Sequence, residues 1–297
     1  MPAPPEAYAF ALLTAVAWGL SPVVMKRGLE RGGGSMIATG TAIVSSFGLF
    51  FIIATLALGP SSTYLALDQT AIAIFLVSGF IGSGLGRLVM YVGIDRVGAS
   101  VNTAVINTRP LFAAILAIAL LGEPFSGMLG LGILTIIIGI GVLSISRGGD
   151  IRGWQWWELL FPIAAAIAFA IGNVLRRYGF VTTESGIVGA LVINEFAAAG
   201  TLGGYVIATR GRDILKVSRS TYGLFVIGGI LDGVGVLMLF AALSLGPVVI
   251  VDPLTATSPL FAAIFTIVLL RRVERVTIGV VAGICLVLLG VVLVAIG

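Results

Sequence analysis

Five ionisable side chains lie deep inside apolar runs of this chain: Arg87, Arg109, Glu195, Asp232 and Asp252. A charge held in hydrocarbon is costly unless it meets a partner or water, so each of the five requires a reason. Asn102, Asn107, Asn173 and Asn194 are uncharged polar companions, and Trp18 and Tyr91 are aromatic ones. Two arginines and three acids make no metal-ligand set, and no cofactor cluster emerges. Arginine can clamp a carboxylate through two parallel N–H donors. An aspartate or glutamate can accept an ammonium group, and a carboxyl shielded from water also takes up a proton more readily. The chain has no histidine, which leaves the acids as proton carriers, with Asp232 and Glu195 as candidates. The expected solute-binding set is Trp18, Arg87, Tyr91, Asn102, Arg109, Asn173, Asp232 and Asp252. The competing structural reading is that Arg87 or Arg109 pairs with Asp232 or Glu195 and locks the helices together. Asp252, nearer the end of its run, equally fits an interfacial role.

Helical spacing groups these residues. Arg87 and Tyr91 share a face at i, i+4; Asp252, Thr255 and Pro259 share one at i, i+3, i+7. Asp232 lies one turn from Gly228 and Gly229, where a second backbone or a solute can come close. Trp18 stands one turn before Pro22 and is more often a packed ring than a lid. The string GSGLG at 82–86 sits within an apolar span rather than in a strand–turn–helix setting, so packing explains it better than phosphate binding.

The elements that must position these groups are membrane helices. Of 297 residues, 59% are hydrophobic and 10% charged, whereas soluble domains carry roughly 25% charged residues. Ten apolar runs reach the roughly 20 residues that a helical span needs: 7–26, 36–58, 70–93, 100–121, 128–146, 158–178, 186–208, 222–244, 248–270 and 277–296. The single cysteine, Cys285, excludes an internal disulfide and reads as a small core residue. The start of the chain, MPAPPEAY, has no basic region of a cleaved leader. The net charge of +4 does not suggest nucleic acid. Trp154, Trp156 and Trp157 suit a membrane interface.

The chain is written twice. PLFAAILAIALL at 110–121 recurs as PLFAAIFTIVLL at 259–270. AVAWGLSPVVMKRGL from Ala15 matches AIAFAIGNVLRRYGF from Ala166, pairing Lys26 with Arg177 and Gly28 with Gly179. FLVSGFIGSG from Phe75 matches FVIGGILDGV from Phe225. Spans 1–5 therefore repeat as spans 6–10. Five is odd, so the second copy enters the membrane from the opposite side, and the fold expected is all-α with ten transmembrane helices in two inverted five-helix repeats. The repeats are set at 1–147 and 158–297, joined by a linker at 148–157. Spans 3, 8, 4 and 9, with 1 and 6, are expected to enclose a central cavity. Repeat-matched Pro110 and Pro259 are expected to act as hinges, or as breaks that open backbone carbonyls to that cavity. Thirteen lysines and arginines fall in loops after odd-numbered spans, and only Arg176 and Arg177 on the other side. The positive-inside rule then puts both termini outside.

Ten spans, the five-plus-five repeat, AWG in span 1 and the PLFAAI…LLGE run closing span 4 resemble the drug/metabolite transporter superfamily, and within it the EamA-like members. The resemblance covers nearly the whole chain, as two EamA-type units at about 10–146 and 160–296. The second half departs from the pattern, with LLRRVE in place of LLGE, which puts in doubt whether Glu274 stands where Glu123 does. The resemblance implies no enzyme and no cofactor, but a multi-pass carrier of the cell membrane that moves small solutes, often by exporting amino acids, metabolites or drugs. It also implies cytoplasmic termini, against the charge count. The function expected is alternating-access transport of amino acids or related zwitterions, with proton antiport as the drive and drugs as the next solute class. The competing reading is a lipid or phosphorylated-metabolite translocator that grips phosphate with Lys26, Arg27, Arg176 and Arg177. The partners expected are the solute and the bilayer, with the protein as monomer or homodimer.

Overall fold

The computed structural model describes residues 3–31, 34–146, 153–214, 216–269 and 278–297. Among these it has ten helices long and apolar enough to cross a membrane. Spans 1 to 5 are Pro5–Glu30, Ser35–Ala57, Gln69–Val97, Ala99–Leu121 and Gly127–Ser146. Spans 6 to 10 are Trp156–Thr182, Ile187–Gly211, Arg219–Leu245, Val248–Leu269 and Ile278–Ile296. Their outer faces show bare Leu, Ile and Val side chains, such as Leu131, Ile138 and Val292, as a lipid-facing surface requires.

The repeat is visible in the packing. Span 1 crosses span 8 where Gly28 meets Phe225, and a Cβ on Gly28 would lie 2.5 Å from that ring. Span 6 crosses span 3 where Gly179 meets Phe75, and a Cβ there would lie 2.7 Å away. Those are the positions matched across the two copies in the sequence. Each half therefore packs its first span on the third span of the other half, as a pseudo-two-fold axis demands. Spans 5 and 10 close on each other, with Gly139 against Val287 and Gly283 against Leu143. Cys285 points away from that seam and is exposed, so it is not the core residue expected from the sequence.

Spans 4 and 9 are broken. Span 4 consists of half-helices Ala99–Ile106 and Arg109–Leu121. Span 9 consists of Val248–Thr255 and Ser258–Leu269. The repeated stretch sets both breaks. Pro110 and Pro259 are each the second residue of the second half-helix, where a missing N–H costs nothing within that helix. They also cannot donate to the carbonyl four residues back, so the first half-helix stops. Threonine closes each gap in the same way. The Thr108 hydroxyl donates to the Val105 carbonyl and the Thr257 hydroxyl to the Leu254 carbonyl, both at 2.7 Å. Pro253 lies inside the short half-helix of span 9 and was not singled out by the sequence reading.

Glu123, just past span 4, reaches across the repeat boundary. Its Oε1 accepts from Val248 N–H at 2.8 Å and its Oε2 from Val249 N–H at 3.0 Å. It therefore caps the N-terminus of the first half-helix of span 9, where free N–H groups and the helix dipole favour an anion. Burial pushes its carboxyl above the ordinary range, against the opposing pull of the two backbone donors and Arg177. Glu274 lies outside the described residues.

Gly229 on span 8 lies against the backbone of span 2, so a Cβ added there would stand 2.5 Å from Ala42 Cα. Gly204 on span 7 has nothing within 4 Å. Gly229→Ala should destabilise by about 1–3 kcal/mol through overpacking, while Gly204→Ala should leave stability unchanged or slightly raised. Apparent unfolding temperatures of the two variants in detergent would test this; equal behaviour would rule out this helix crossing.

Candidate solute-binding site

A cavity of about 280 Å³ lies between the two repeats. Its wall is drawn from spans 1, 3, 4, 6, 8 and 9, as expected, and also from span 2 through Thr39 and Ala42. Of the expected residues, Trp18, Arg87, Tyr91, Asn102, Arg109, Asn173, Asp232 and Pro259 line it. Asp252, Glu195 and Pro110 are buried outside the lining.

Two of the ion pairs that join the repeats involve arginines of the cavity wall. Arg87 Nη2 on span 3 donates to Asp232 Oδ2 on span 8 at 2.8 Å. Both side chains keep some access to the cavity, at 14% and 18% exposure. Trp18 braces the same point by donating its indole N–H to the Asp232 backbone carbonyl at 3.3 Å. The second pair sits at the helix breaks. Arg109 Nε donates to Asp252 Oδ2 at 3.0 Å, and its Nη2 donates to Thr255 Oγ at 2.9 Å. Asn173 Nδ2 donates to the other oxygen of Asp252. Asp252 is completely buried, as the fifth residue of span 9. The arginines of the first repeat already neutralise the aspartates of the second.

Arg176 belongs to the cavity. Counted as a charge near the end of span 6, it lies within the helix, 4% exposed, on the cavity wall. Span 6 continues to Thr182, six residues further than its arginine. Only the spacing from Asn173, i to i+3 on one face, could have indicated this. Arg177 serves another purpose. Its Nη1 donates to the Leu243 carbonyl at 2.9 Å, and its Nε lies 3.8 Å from Glu123. Arg27 is exposed at the far end of span 1. Lys26, Arg27, Arg176 and Arg177 therefore do not converge on one phosphate.

Glu195 on span 7 is fully buried behind the cavity. Ser46 Oγ on span 2 donates to its Oε2 at 2.8 Å, while its Oε1 has no hydrogen-bond partner. Asn102 Oδ1 and Asn194 Nδ2 are likewise buried without a partner.

The two ends of the cavity differ. Spans 3, 6 and 8 reach the face bearing the termini with Phe75, Phe180 and Phe240, whose ring centroids lie 5.3 to 6.1 Å apart. That cluster lies behind the cavity wall on this side, with Phe240 beneath Arg176. At the opposite face the lining reaches Thr39, Ile94 and Asn102, each within a turn or so of its helix end. A second hollow of about 380 Å³, lined also by Asp95, Arg210, Asp213 and Lys216, shares Tyr91 with the first. A Tyr91–Thr39 hydroxyl contact stands between the two hollows.

A bundle of ten spans that encloses a polar cavity between two related halves is the architecture of a multi-pass membrane transporter. The EamA-like transporter family model matches residues 6–145 and again 151–296. The chain belongs to that family, within the drug/metabolite transporter superfamily, and its members are transporters, not enzymes. An uncharacterized protein of Pseudomonas aeruginosa is 33% identical over 138 residues, 46% of this chain and 45% of that protein. An uncharacterized transporter of Clostridium kluyveri is 28% identical over 145 residues, 48% of this chain and 46% of that one. A chloroplastic WAT1-related protein of Arabidopsis thaliana is 32% identical over 93 residues, 29% of this chain and 21% of that protein. The chain thus spans less than half the length of these curated relatives. One crystal structure shares the fold at a TM-score of 0.77 and 15% identity, over 97% of this chain and 95% of that one.

Asp252→Asn should remove the counter-charge of buried Arg109 and destabilise the protein by about 3–5 kcal/mol. Arg109→Met combined with Asp252→Leu should recover most of that loss, because an apolar pair leaves no charge stranded. Unfolding temperatures of the single and double variants would decide; additive losses would mean that the pair is not coupled.

Proposed function

We propose that this protein is a secondary-active carrier of the cell membrane that exports small polar organic solutes, first among them amino acids and related zwitterions. The observation that carries this reading is the cavity at the repeat interface with the Arg87–Asp232 pair in its wall. A zwitterion brings one charge of each sign. It can give its ammonium to Asp232 and its carboxylate to a guanidinium, so no buried charge is left unmatched. The volume of about 280 Å³ stands at the small end of roughly 300–1,000 Å³ for organic-ligand sites.

Alternating access follows from the inverted repeat. Packed aromatic rings at one face and reach toward the other support one of two mirror conformations. By the positive-inside rule the open face, which carries the basic loops, is cytoplasmic. Solute then loads from the cytoplasm and leaves on the side of the termini. Pro110 and Pro259 serve as the hinges, because each ends a half-helix at a break that keeps few backbone bonds.

A proton gradient is the proposed drive. A proton on Asp232 weakens its hold on Arg87 and on a solute ammonium alike. Proton and solute therefore alternate on one carboxylate, which is antiport. Glu195, buried with one oxygen unpartnered, is the second candidate carrier.

The test is lumenal pH in proteoliposomes bearing an imposed proton gradient, with a panel of amino acids, nucleosides and cationic drugs. At least one amino acid should dissipate the gradient in the wild type, and Asp232→Asn should slow that by at least about tenfold, or roughly 1.4 kcal/mol. Isotope counterflow that persists without proton movement would overturn the coupling but keep the carrier. An absence of counterflow for every solute would overturn both.

A further inference from the structure

Three guanidinium groups line the cavity, and they are not equivalent. Arg87 and Arg109 each face a carboxylate, at 2.8 and 3.0 Å. Among the described residues, no carboxylate lies within salt-bridge distance of Arg176. Its Nε donates to Asn194 Oδ1 at 3.0 Å, its Nη1 to Asn173 Oδ1 at 2.6 Å and its Nη2 to Ser83 Oγ at 2.7 Å. All three acceptors are neutral. The Phe240 ring lies beneath the guanidinium carbon at 5.4 Å. The molecule thus holds a whole positive charge almost out of water on dipoles alone.

Such an arrangement orients a guanidinium without neutralising it. Of its five N–H donors, the three bonds above leave one on each Nη. Asp252 and, more strongly, Glu195, which neighbours Asn194 on span 7, act on Arg176 at longer range. The Glu195 Oε2 is held by Ser46. The other charged groups around the cavity, Arg87, Arg109, Asp232 and Asp252, are occupied with one another.

We propose that Arg176 is the anchor for the solute's anionic group, a single carboxylate, at the aromatic end of the cavity. The inference rests on the carrier reading and specifies it by choosing one guanidinium of three. A carboxylate supplies the direct counter-charge that Arg176 lacks. A phosphate would add a second negative charge for which the cavity has no unpaired cation. Arg176 stands toward the aromatic cluster, and Asp232 is nearer the middle of its span. The solute therefore enters carboxylate first, with its ammonium toward Asp232 and its side chain toward Tyr91 and the open face. Glu195 opposes the anchoring, because its charge and the solute's share the same cation.

The purified full-length protein would be unfolded thermally in detergent with L-alanine, L-leucine and L-phenylalanine. Each is paired with its amide and with the amine that lacks the carboxylate, and inorganic phosphate is run alongside. At least one amino acid should stabilise the wild type while its amide, its amine and phosphate do not. Arg176→Gln should weaken that amino acid about tenfold, to the level of its amide, and Arg176→Lys should recover part of the loss. Glu195→Gln should tighten binding severalfold, an outcome that a merely structural role would not produce and that does not require an Arg176 variant to fold. The proposal is overturned if no amino acid stabilises the wild type, if the amides or phosphate bind equally well, or if Glu195→Gln weakens binding. Counterflow of the same amino acids separates the two readings. Transport that ignores the carboxylate keeps the carrier and removes the anchor, whereas carboxylate-dependent binding without counterflow keeps the anchor and removes the carrier.

Discussion

The interaction on which the rest depends is the buried contact of Arg109 with Asp252. Each residue sits on a span that is broken near the cavity, one from each repeat. A charge in the middle of a membrane protein is tolerable only when paired, so neither broken span can take its place without the other. The pair thereby fixes the register between the halves at the point where their backbones are least regular. Thr255 and Asn173 complete it, the one on Arg109 and the other on Asp252. A helix break leaves carbonyls and N–H groups without intrahelical partners. These charges and hydroxyls let the protein keep two such breaks in a dry interior.

The scaffold is symmetric and its electrostatics are not. Gly28 against Phe225 and Gly179 against Phe75 are one contact made twice. Thr108 and Thr257 close their helix breaks at the same distance. The charged residues obey no such rule. The two paired arginines belong to the first repeat and their aspartates to the second, and Arg176 has no basic mate in span 1 that faces the cavity. Symmetry supplies two conformations of similar packing, which alternating access requires. Asymmetry gives the cavity an orientation, so that the two ends of a solute meet different groups.

The two faces are packed differently. On the side of the termini, three phenylalanines interlock and Glu123 ties the start of span 9 to the end of span 4. On the other side, Tyr91 and Thr39 make a single hydroxyl contact between two hollows. Interlocked rings bury a large apolar area, whereas one hydroxyl contact contributes only about 1 kcal/mol. The second contact is the weaker one, in keeping with a cavity that reaches toward that face.

The sequence by itself determined the class, the ten spans and the duplication, because these follow from local quantities: runs of apolar residues, their lengths and an internal match. Seven of the eight residues expected to bind solute lie in the cavity wall, because a polar side chain in an apolar span must face either a partner or water. The sequence did not determine which charges pair. Arg87 and Asp232 are 145 positions apart and Arg109 and Asp252 are 143 apart, and no spacing rule reaches that far. Asp252 looked interfacial because position along an apolar run was the only guide to depth. The tertiary structure shows it buried, held by Arg109 and Asn173. Arg176 stands two residues from the end of its apolar run at 158–178, where a charge can either report orientation or line a cavity. Only the fold shows that its helix continues and that Asn173, Asn194 and Ser83, drawn from three spans, are arranged to hold a positive charge. A buried ion's partners are set by assembly in three dimensions, and that is the information a linear reading does not contain.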